Sequence, residues 1–336
     1  MKILVTGGTG YIGSHTCVQL LEKGWQPVII DSLVNSKISV LDRIQQITGT
    51  RPAFIEGDVR DADLLQKVLR EHAIEAVIHF AGLKAVGESV SMPLKYYDNN
   101  VHGSVVLMEA MKQCNVKTLV FSSSATVYGD SSAPPWNEHV PTSPTNPYGQ
   151  SKLMVDQIMA DVSVSDTAWS MTSLRYFNPV GAHPSGLMGE DPQGIPNNLM
   201  PFLAQVAVGR REVLQVFGND YPTSDGTGVR DYIHVTDLAS GHIAALAYAH
   251  GRSGHHVFNL GSGQGVSVLE MHRAFSQAWG RDLPFAISPR RPGDVAAYWA
   301  DPQKAQSTLN WQAKKSIDDM CQDTWRWQSQ NPNGYP

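Results

Sequence analysis

The first half of the chain alternates short apolar runs with longer stretches of helical apolar spacing. Apolar runs of strand length occur at residues 2–6, 27–30, 53–56, 76–80, 118–122 and 172–176. Helical spacing lies between them, at residues 11–23, 62–71, 93–113 and 148–162. Strands that alternate with helices pair in parallel, with helices on both faces of the sheet. The pattern therefore predicts an α/β fold, a doubly wound parallel sheet of the Rossmann type.

The pattern changes past about residue 178, where prolines become frequent and polar loops lengthen. We therefore predict two domains, a Rossmann domain over residues 1–177 and a smaller α+β domain over residues 178–336. The smaller domain is expected to close over a substrate, and some of its segments are expected to return to the first domain.

A glycine-rich turn joins the first predicted strand to the first predicted helix. Gly7, Gly10 and Gly13 follow the Gly-x-x-Gly-x-x-Gly spacing, and residues 8, 10 and 13 also follow Gly-x-Gly-x-x-Gly. In this context the glycines allow a tight turn, a close approach to a pyrophosphate and helix–strand packing. A bare glycine triplet is often only a flexible loop, but the strand–turn–helix context predicts dinucleotide binding.

Asp31 follows the second apolar run, about twenty residues past the glycine turn. A carboxylate there accepts hydrogen bonds from the adenosine ribose hydroxyls and repels a 2′-phosphate, which favours NAD over NADP. The alternative is a solvated acid at the end of a strand.

Tyr148 and Lys152 are four residues apart at a predicted helix start, so both side chains share one helix face. The pKa of a free tyrosine is about 10, and lowering it by about three units requires roughly 4 kcal/mol. A cation about 4 Å away supplies that much at an effective dielectric near 20. Lys152 and a positive nicotinamide ring would make Tyr148 a base, with Ser124 holding a substrate oxygen. The alternative is a tyrosine packed under a lysine stem.

Composition narrows the function classes. The 26 basic and 31 acidic residues give a net charge of −5, which argues against a general nucleic-acid surface. Cys17, Cys114 and Cys321 are far apart in the sequence, which favours free thiols in a reducing, cytoplasmic compartment over disulfides or metal ligands. Neither a metal motif nor an apolar run of membrane-spanning length is present, so we expect neither a metal site nor a membrane anchor.

Longer motifs carry a resemblance to one family. They are HFAGLKAVGE (79–88), SSSATVYG (122–129), RYFNPVGA (175–182), GNDYPT (218–223), GVRDYIH (228–234) and AYWA (297–300). With the glycine turn, Ser124 and the Tyr148/Lys152 pair, the chain resembles the extended short-chain dehydrogenase/reductases. Within them, it resembles the UDP-glucose 4-epimerase (UDP-galactose 4-epimerase) family over nearly its whole length.

The resemblance implies an isomerase of galactose metabolism that interconverts UDP-galactose and UDP-glucose. Tyr148 would take the proton from the sugar 4-hydroxyl and NAD the hydride. The 4-keto sugar would rotate about its link to the diphosphate and receive the hydride on its other face, with no net redox change. NAD would stay bound throughout. The helices near residues 93–113 and 148–162 resemble those that form a four-helix homodimer interface in the family, although their apolar residues could equally be core.

The resemblance also implies the contacts of each ligand. Beyond Gly7, Gly10, Gly13, Ser124, Tyr148 and Lys152, those around NAD would be Tyr11, Ile12, Asp31, Ser32, Leu33, Val34, Asn35, Ser36, Asp58, Val59, Phe80, Ala81, Gly82, Leu83, Lys84, Asn99 and Phe177. Those around the sugar nucleotide, besides Ser124 and Tyr148, would be Asn178, Asn198, Leu199, Gln215, Val216, Phe217, Arg230, Arg291, Asp294 and Tyr298.

Four of these positions depart from the family pattern or have an alternative interpretation. Ser32 stands where the family commonly has asparagine, and its side chain is shorter. Arg230 and Arg291 would bind the diphosphate, although a lone arginine is more often a solvated charge. Tyr298 occupies a position where small residues accompany acceptance of N-acetylated hexosamines, so we expect it to restrict the sugar; the alternative is a packing aromatic. The loop from Trp136 to Asn146 looks altered and carries no assignment.

Two rival functions fit the sequence less well. A nucleotide-sugar 4,6-dehydratase needs an Asp-Glu step beside the serine/threonine position, whereas this chain has Ser124-Ala125-Thr126. A non-enzymatic dinucleotide sensor typically lacks the Tyr/Lys pair, which is intact here.

Overall fold

A computed structural model describes residues 1–130, 133–291 and 294–336. Its strands, in chain order, are β1 (Lys2–Thr6), β2 (Gln26–Asp31), β3 (Ala53–Glu56), β4 (Ala76–His79), β5 (Thr118–Ser124), β6 (Ser170–Tyr176), β7 (Asn178–Val180), β8 (Leu214–Phe217), β9 (Val229–Arg230), β10 (Tyr232–His234), β11 (Gly254–Leu260), β12 (Val266–Ser267), β13 (Phe285–Ser288) and β14 (Ala297–Tyr298).

The α-helices are α1 (Tyr11–Glu22), α2 (Val40–Thr48), α3 (Ala62–Glu71), α4 (Val86–Ser91), α5 (Pro93–Tyr96), α6 (Gly103–Gln113), α7 (Pro147–Ser165), α8 (Leu199–Ala207), α9 (Val235–Ala249), α10 (Val268–Trp279), α11 (Gln303–Leu309) and α12 (Ile317–Gln330). A π-helical turn, Tyr97–His102, joins α5 to α6, and a 3-10 turn, Ala125–Tyr128, follows β5. Among the described residues no helix is long and apolar enough to cross a bilayer.

The predicted doubly wound sheet is confirmed. Seven strands pair in parallel in the order β11-β6-β5-β4-β1-β2-β3. The sheet is buried on both faces, as a parallel sheet must be. In β1, Ile3 and Val5 face the core formed with α1 and α9, whereas Leu4 faces the core formed with α3, α6 and α7. Each such side chain contributes about 1.5–3 kcal/mol when it leaves water.

Several elements differ from the sequence prediction. The helix expected over residues 93–113 is two α-helices, α5 and α6, joined by a π turn, and α2 was not predicted. Past residue 177, the described part of the chain contains short strands in three small sheets. Strands of only a few residues show no clear hydrophobic period, so the sequence pattern did not predict them. This part of the chain also contributes β11, an edge strand of the large sheet, through parallel pairing with β6.

The carboxyl ends of the large-sheet strands share one edge, where ligands bind in doubly wound folds. The glycine turn follows β1, and Asp31 ends β2. Residues 80–84 follow β4, and Ser124 ends β5. The topology therefore collects most of the residues predicted to bind the cofactor along this edge.

Candidate active site

The glycine turn is shaped by its own packing. Gly7 has a φ of +69°, and a Cβ there would lie 2.7 Å from the amide nitrogen of Ala81. A Cβ on Gly13 would lie 2.4 Å from the Gly7 carbonyl oxygen. Helix α1 begins at Tyr11 after Gly10, with no side-chain cap on its first amides. Free N–H groups at a helix N-terminus suit a diphosphate, so the turn fits the predicted dinucleotide.

Asp31 organises the loop after β2. Its two carboxylate oxygens accept from the amides of Thr9 at 3.1 Å and Leu33 at 3.0 Å, and from the Ser36 hydroxyl at 3.1 Å. The carboxylate therefore ties the glycine turn to the adjacent loop while keeping lone pairs for a ribose. Beyond these residues, the side chains of Ser32, Val34 and Asn35 are exposed to solvent.

The loop after β4 meets the turn on the side away from Asp31, whereas the loop after β3 lies beyond β2. Arg60 donates to Asp58 and lowers the pKa of that carboxyl. Val59 is buried, and the ring of Phe80 packs 4.6 Å from that of His242. Gly82 lies close to the Lys152 ammonium, which would be 3.5 Å from a Cβ there.

Asn100 is a residue that sequence reasoning missed. Its side chain accepts from the Leu83 amide at 2.8 Å and donates to the Leu83 carbonyl at 3.0 Å and to the Ser151 hydroxyl at 3.1 Å. It therefore joins the loop after β4 to α7, whereas the predicted residue Asn99 donates to Asn100. The π turn that carries both asparagines is a structural signal often found at functional sites, and it is invisible in the sequence.

Ser124, Tyr148 and Lys152 converge at the carboxyl end of β5. Helix α7 begins after Asn146, whose side chain accepts from the Gly149 amide at 2.9 Å, and it places Tyr148 and Lys152 on one face. The Lys152 ammonium is 5.9 Å from the centroid of the Tyr148 ring. It donates to the Ser122 carbonyl at 2.7 Å, which anchors it under the site.

The structure changes the expected pKa of Tyr148, because the argument from sequence did not include the effect of burial. Burial raises the pKa of Tyr148, and a hydrogen bond with Ser124 opposes the rise. Ser124 Oγ accepts from Thr126 Oγ1 at 2.9 Å, which leaves its own proton for Tyr148. Burial lowers the pKa of Lys152 to about 8, with Asp156 opposing the shift. Ionising the phenol therefore requires more positive charge than Tyr148 would need in water.

A second cluster lies on the smaller sheets. Asp294 sits between two arginines, 3.6 Å from Arg230 Nη2 and 3.1 Å from Arg291 Nε. The guanidinium of Arg291 lies 4.6 Å from the centre of the Phe217 ring. Next to Phe217, Val216 is buried, while Gln215 is exposed and accepts from Ser288. Two guanidinium forks beside an aromatic ring suit a diphosphate attached to a planar base.

Tyr298 joins this cluster to the catalytic edge. Its ring stacks on Trp136 with centroids 5.2 Å apart and lies 4.6 Å under the Arg230 guanidinium. Its hydroxyl donates to Asn178 at 3.5 Å, and its ring is 6.0 Å from that of Phe177. The stack holds the Tyr298 ring in one orientation. The loop containing Trp136, to which the sequence analysis assigned no role, therefore helps to position Tyr298.

Asn198 and Leu199 lie at the start of α8, where Asn198 donates to Glu190 at 3.3 Å. Lys84 pairs with the same carboxylate at 3.1 Å. Glu190 thus links a residue predicted to bind the cofactor to one predicted to bind the substrate, and no sequence motif indicated it.

Comparisons with known proteins identify the family. The family model described as GDP-mannose 4,6 dehydratase matches residues 4–324. The chain is 64% identical to the UDP-glucose 4-epimerase of Yersinia pestis over 100% of both chains. It is 58% identical to the UDP-glucose 4-epimerase of Bacillus subtilis, covering 100% of this chain and 99% of the relative.

Solved structures give the same result. The UDP-glucose-4-epimerase of Stenotrophomonas maltophila, with bound NAD and formylated UDP-arabinopyranose, has a TM-score of 0.97 and 52% identity over 99% of both chains. The Bifidobacterium longum UDP-glucose 4-epimerase, in complex with NAD+ and UDP, has a TM-score of 0.96 and 53% identity over 100% of both chains. The family model with the dehydratase description covers the wider family, whereas the full-length relatives narrow the family assignment to the UDP-glucose 4-epimerases. The chain therefore belongs to the UDP-glucose 4-epimerase family of extended short-chain dehydrogenase/reductases.

Proposed function

We propose that this protein interconverts UDP-galactose and UDP-glucose in galactose metabolism, by transient oxidation at the sugar C4 with tightly bound NAD. The observation that carries the proposal is the convergence of Ser124, Tyr148 and Lys152 beside the glycine turn. Full-length similarity to UDP-glucose 4-epimerases supports it. When bound, NAD supplies a hydride acceptor and donor for the sugar carbon.

Tyr148 is proposed as the base that removes the proton from the 4-hydroxyl and later returns one. Ser124 donates to the same oxygen and holds it in line, while Lys152 supplies positive charge under the ring from 5.9 Å. Proton transfer by a placed group contributes about 10²- to 10⁴-fold to the rate. The 4-keto sugar has to rotate before the hydride returns, so the pocket must hold the nucleotide more firmly than the hexose.

The second cluster suits that requirement. We propose that Arg230 and Arg291 bind the diphosphate, that Phe217 and its strand neighbours hold the uracil, and that Asp294 accepts from the ribose. Asp294 pairs with both arginines, and because it carries one negative charge the three side chains keep a net positive charge. Tyr298 and Asn178 would then border the hexose, where the stacked ring of Tyr298 limits its size.

The broader organisation follows the same proposal. Residues 1–177 would hold NAD and residues 178–336 the sugar nucleotide, with β11 and α9 packed into the large domain. We also propose a homodimer through α5, α6 and α7. The apolar Leu94 is 81% exposed there, and it lines a groove with Val101 and Met154. The three cysteines are free, in keeping with a cytoplasmic location.

A single assay tests the function. Purified protein is incubated with UDP-galactose and no added NAD, and the products are separated by chromatography. We expect UDP-glucose, with NAD released when the protein is denatured. A 4-keto-6-deoxy product would indicate a dehydratase, and no product would indicate a sensor. Tyr148→Phe should retain NAD but lose at least about 10²-fold in turnover, and full activity in that variant would contradict the role of the phenol.

A further inference from the structure

Two adjacent carboxylates, Glu190 and Asp191, each pair with a lysine from a different loop of the large domain. Glu190 Oε1 is 3.1 Å from Lys84 Nζ, and Asp191 Oδ2 is 3.5 Å from Lys37 Nζ. The carboxylates are 10% and 12% exposed, so both are largely removed from water, whereas the lysines are 49% and 34% exposed. The acidic dipeptide lies on the segment between β7 and α8, outside the large sheet.

The two lysines flank the glycine turn. Lys37 follows the loop that Asp31 organises after β2, and Lys84 ends the loop after β4. Because β1 lies between β4 and β2 in the sheet, the turn after β1 lies between the two lysines. Strand spacing of about 4.8 Å separates β2 from β4 by roughly 10 Å. The dipeptide therefore connects the two sides of the predicted dinucleotide site.

The same segment has further contacts around the turn. The Tyr11 hydroxyl, at the start of α1, donates to the Gly181 carbonyl at 2.6 Å. Tyr335 exchanges two hydrogen bonds of 3.1 Å with the backbone of Gly189 through its hydroxyl, and its amide donates to Asp191 at 3.0 Å. The segment 181–191 is thus tied down at its start and at its end.

We infer that Glu190 and Asp191 are positioning residues that latch segment 181–191 across the dinucleotide turn and slow the departure of the cofactor. The inference rests on the proposed function, because it assumes that the turn holds NAD. Opening this side of the site requires both carboxylate–lysine pairs to separate. Glu190 also accepts from Asn198, so the latch connects cofactor retention to the substrate side.

The test compares the double variant Glu190→Gln/Asp191→Asn with Asp166→Asn. Both amides keep an oxygen acceptor, so only the charge is removed. Asp166 pairs with Lys117 at 2.9 Å before β5, at the opposite edge of the sheet, and serves as a control ion pair far from the turn. NAD-loaded proteins are diluted into an NAD-scavenging buffer, and remaining nucleotide is measured after denaturation. Loss of one ion pair of this exposure changes a dissociation rate by up to about fivefold. Because the double variant loses two such pairs, we expect it to release NAD about tenfold faster than the wild type.

The outcomes separate the latch from the proposed function. Wild-type protein that binds no NAD would refute the function itself. Wild-type protein that holds NAD, with release from the double variant no faster than from Asp166→Asn, would refute only the latch. If the double variant does not fold by circular dichroism, release from the wild type is measured at about 0.05 and about 0.5 M salt. Screening of the two pairs should then accelerate release several-fold, and salt-independent release would overturn the inference.

Discussion

Replacing Lys152 by methionine tests the electrostatic basis of the proposed chemistry. Methionine keeps most of the side-chain volume and the contact with the Phe121 ring, over which the ammonium lies at 4.8 Å. It removes the positive charge that Lys152 places under Tyr148. Burial already raises the pKa of Tyr148, so loss of the cation should raise it further.

The magnitude follows from the distance. At 5.9 Å between the ammonium and the ring centroid and an effective dielectric near 20, the interaction is about 3 kcal/mol. This corresponds to about two pKa units, and hence to an ionised fraction about 100-fold lower at neutral pH. The loss should shrink above pH 8, because the pKa of Lys152 is about 8 and the wild type itself then loses the cation.

The assay is a pH–rate profile for conversion of UDP-galactose between about pH 6 and pH 9. The rate of Lys152→Met should rise about tenfold per pH unit across this range, whereas the wild-type rate should level off above about pH 8, where Lys152 loses its proton. Lys117→Met is the matched control, because Lys117 also lies over an aromatic ring, 4.6 Å from Trp169, at the other edge of the sheet. A Lys152→Met profile parallel to that of the wild type would refute the argument, whatever the size of the loss.

Three further predictions concern cofactor choice, sugar size and acid stability. Asp31→Ala should reduce the preference for NAD over NADP at least about tenfold, as measured by the two dissociation constants, because the carboxylate that repels a 2′-phosphate is gone; an unchanged ratio would contradict this role. Tyr298→Cys should raise turnover of UDP-N-acetylglucosamine at least about tenfold relative to UDP-glucose, because the ring stacked on Trp136 would no longer fill that side of the pocket, and an unchanged ratio would make Tyr298 a packing residue. Burial lowers the pKa of His15 and His79 to about 3, so below about pH 6.5 the unfolded chain binds more protons than the native one. Urea unfolding should therefore show about 2 kcal/mol less stability per histidine at pH 5 than at pH 7; equal stabilities would show that these residues are not neutral in the fold.

Much of the large domain could be predicted because its signals are local. The glycine turn, the run of buried residues in β1 and the shared face of Tyr148 and Lys152 depend on neighbours within a few residues. Their backbone conformations follow from steric limits and from the helical and strand periods. The short strands of the second half carry too few residues for a period, so they were not predicted.

Only the tertiary structure decided which residues distant in the chain contact each other. The pKa direction of Tyr148 depends on burial by elements far away in sequence, and the estimate from the Tyr148/Lys152 spacing alone left this cost out. Asn100 bonds to Leu83 and Ser151, Asp294 lies between Arg230 and Arg291, and the dipeptide 190–191 pairs with two lysines. By itself, the sequence determined the fold class and the type of chemistry. Close packing, which no local pattern encodes, determined the charges around the reacting groups and the partners of each charge.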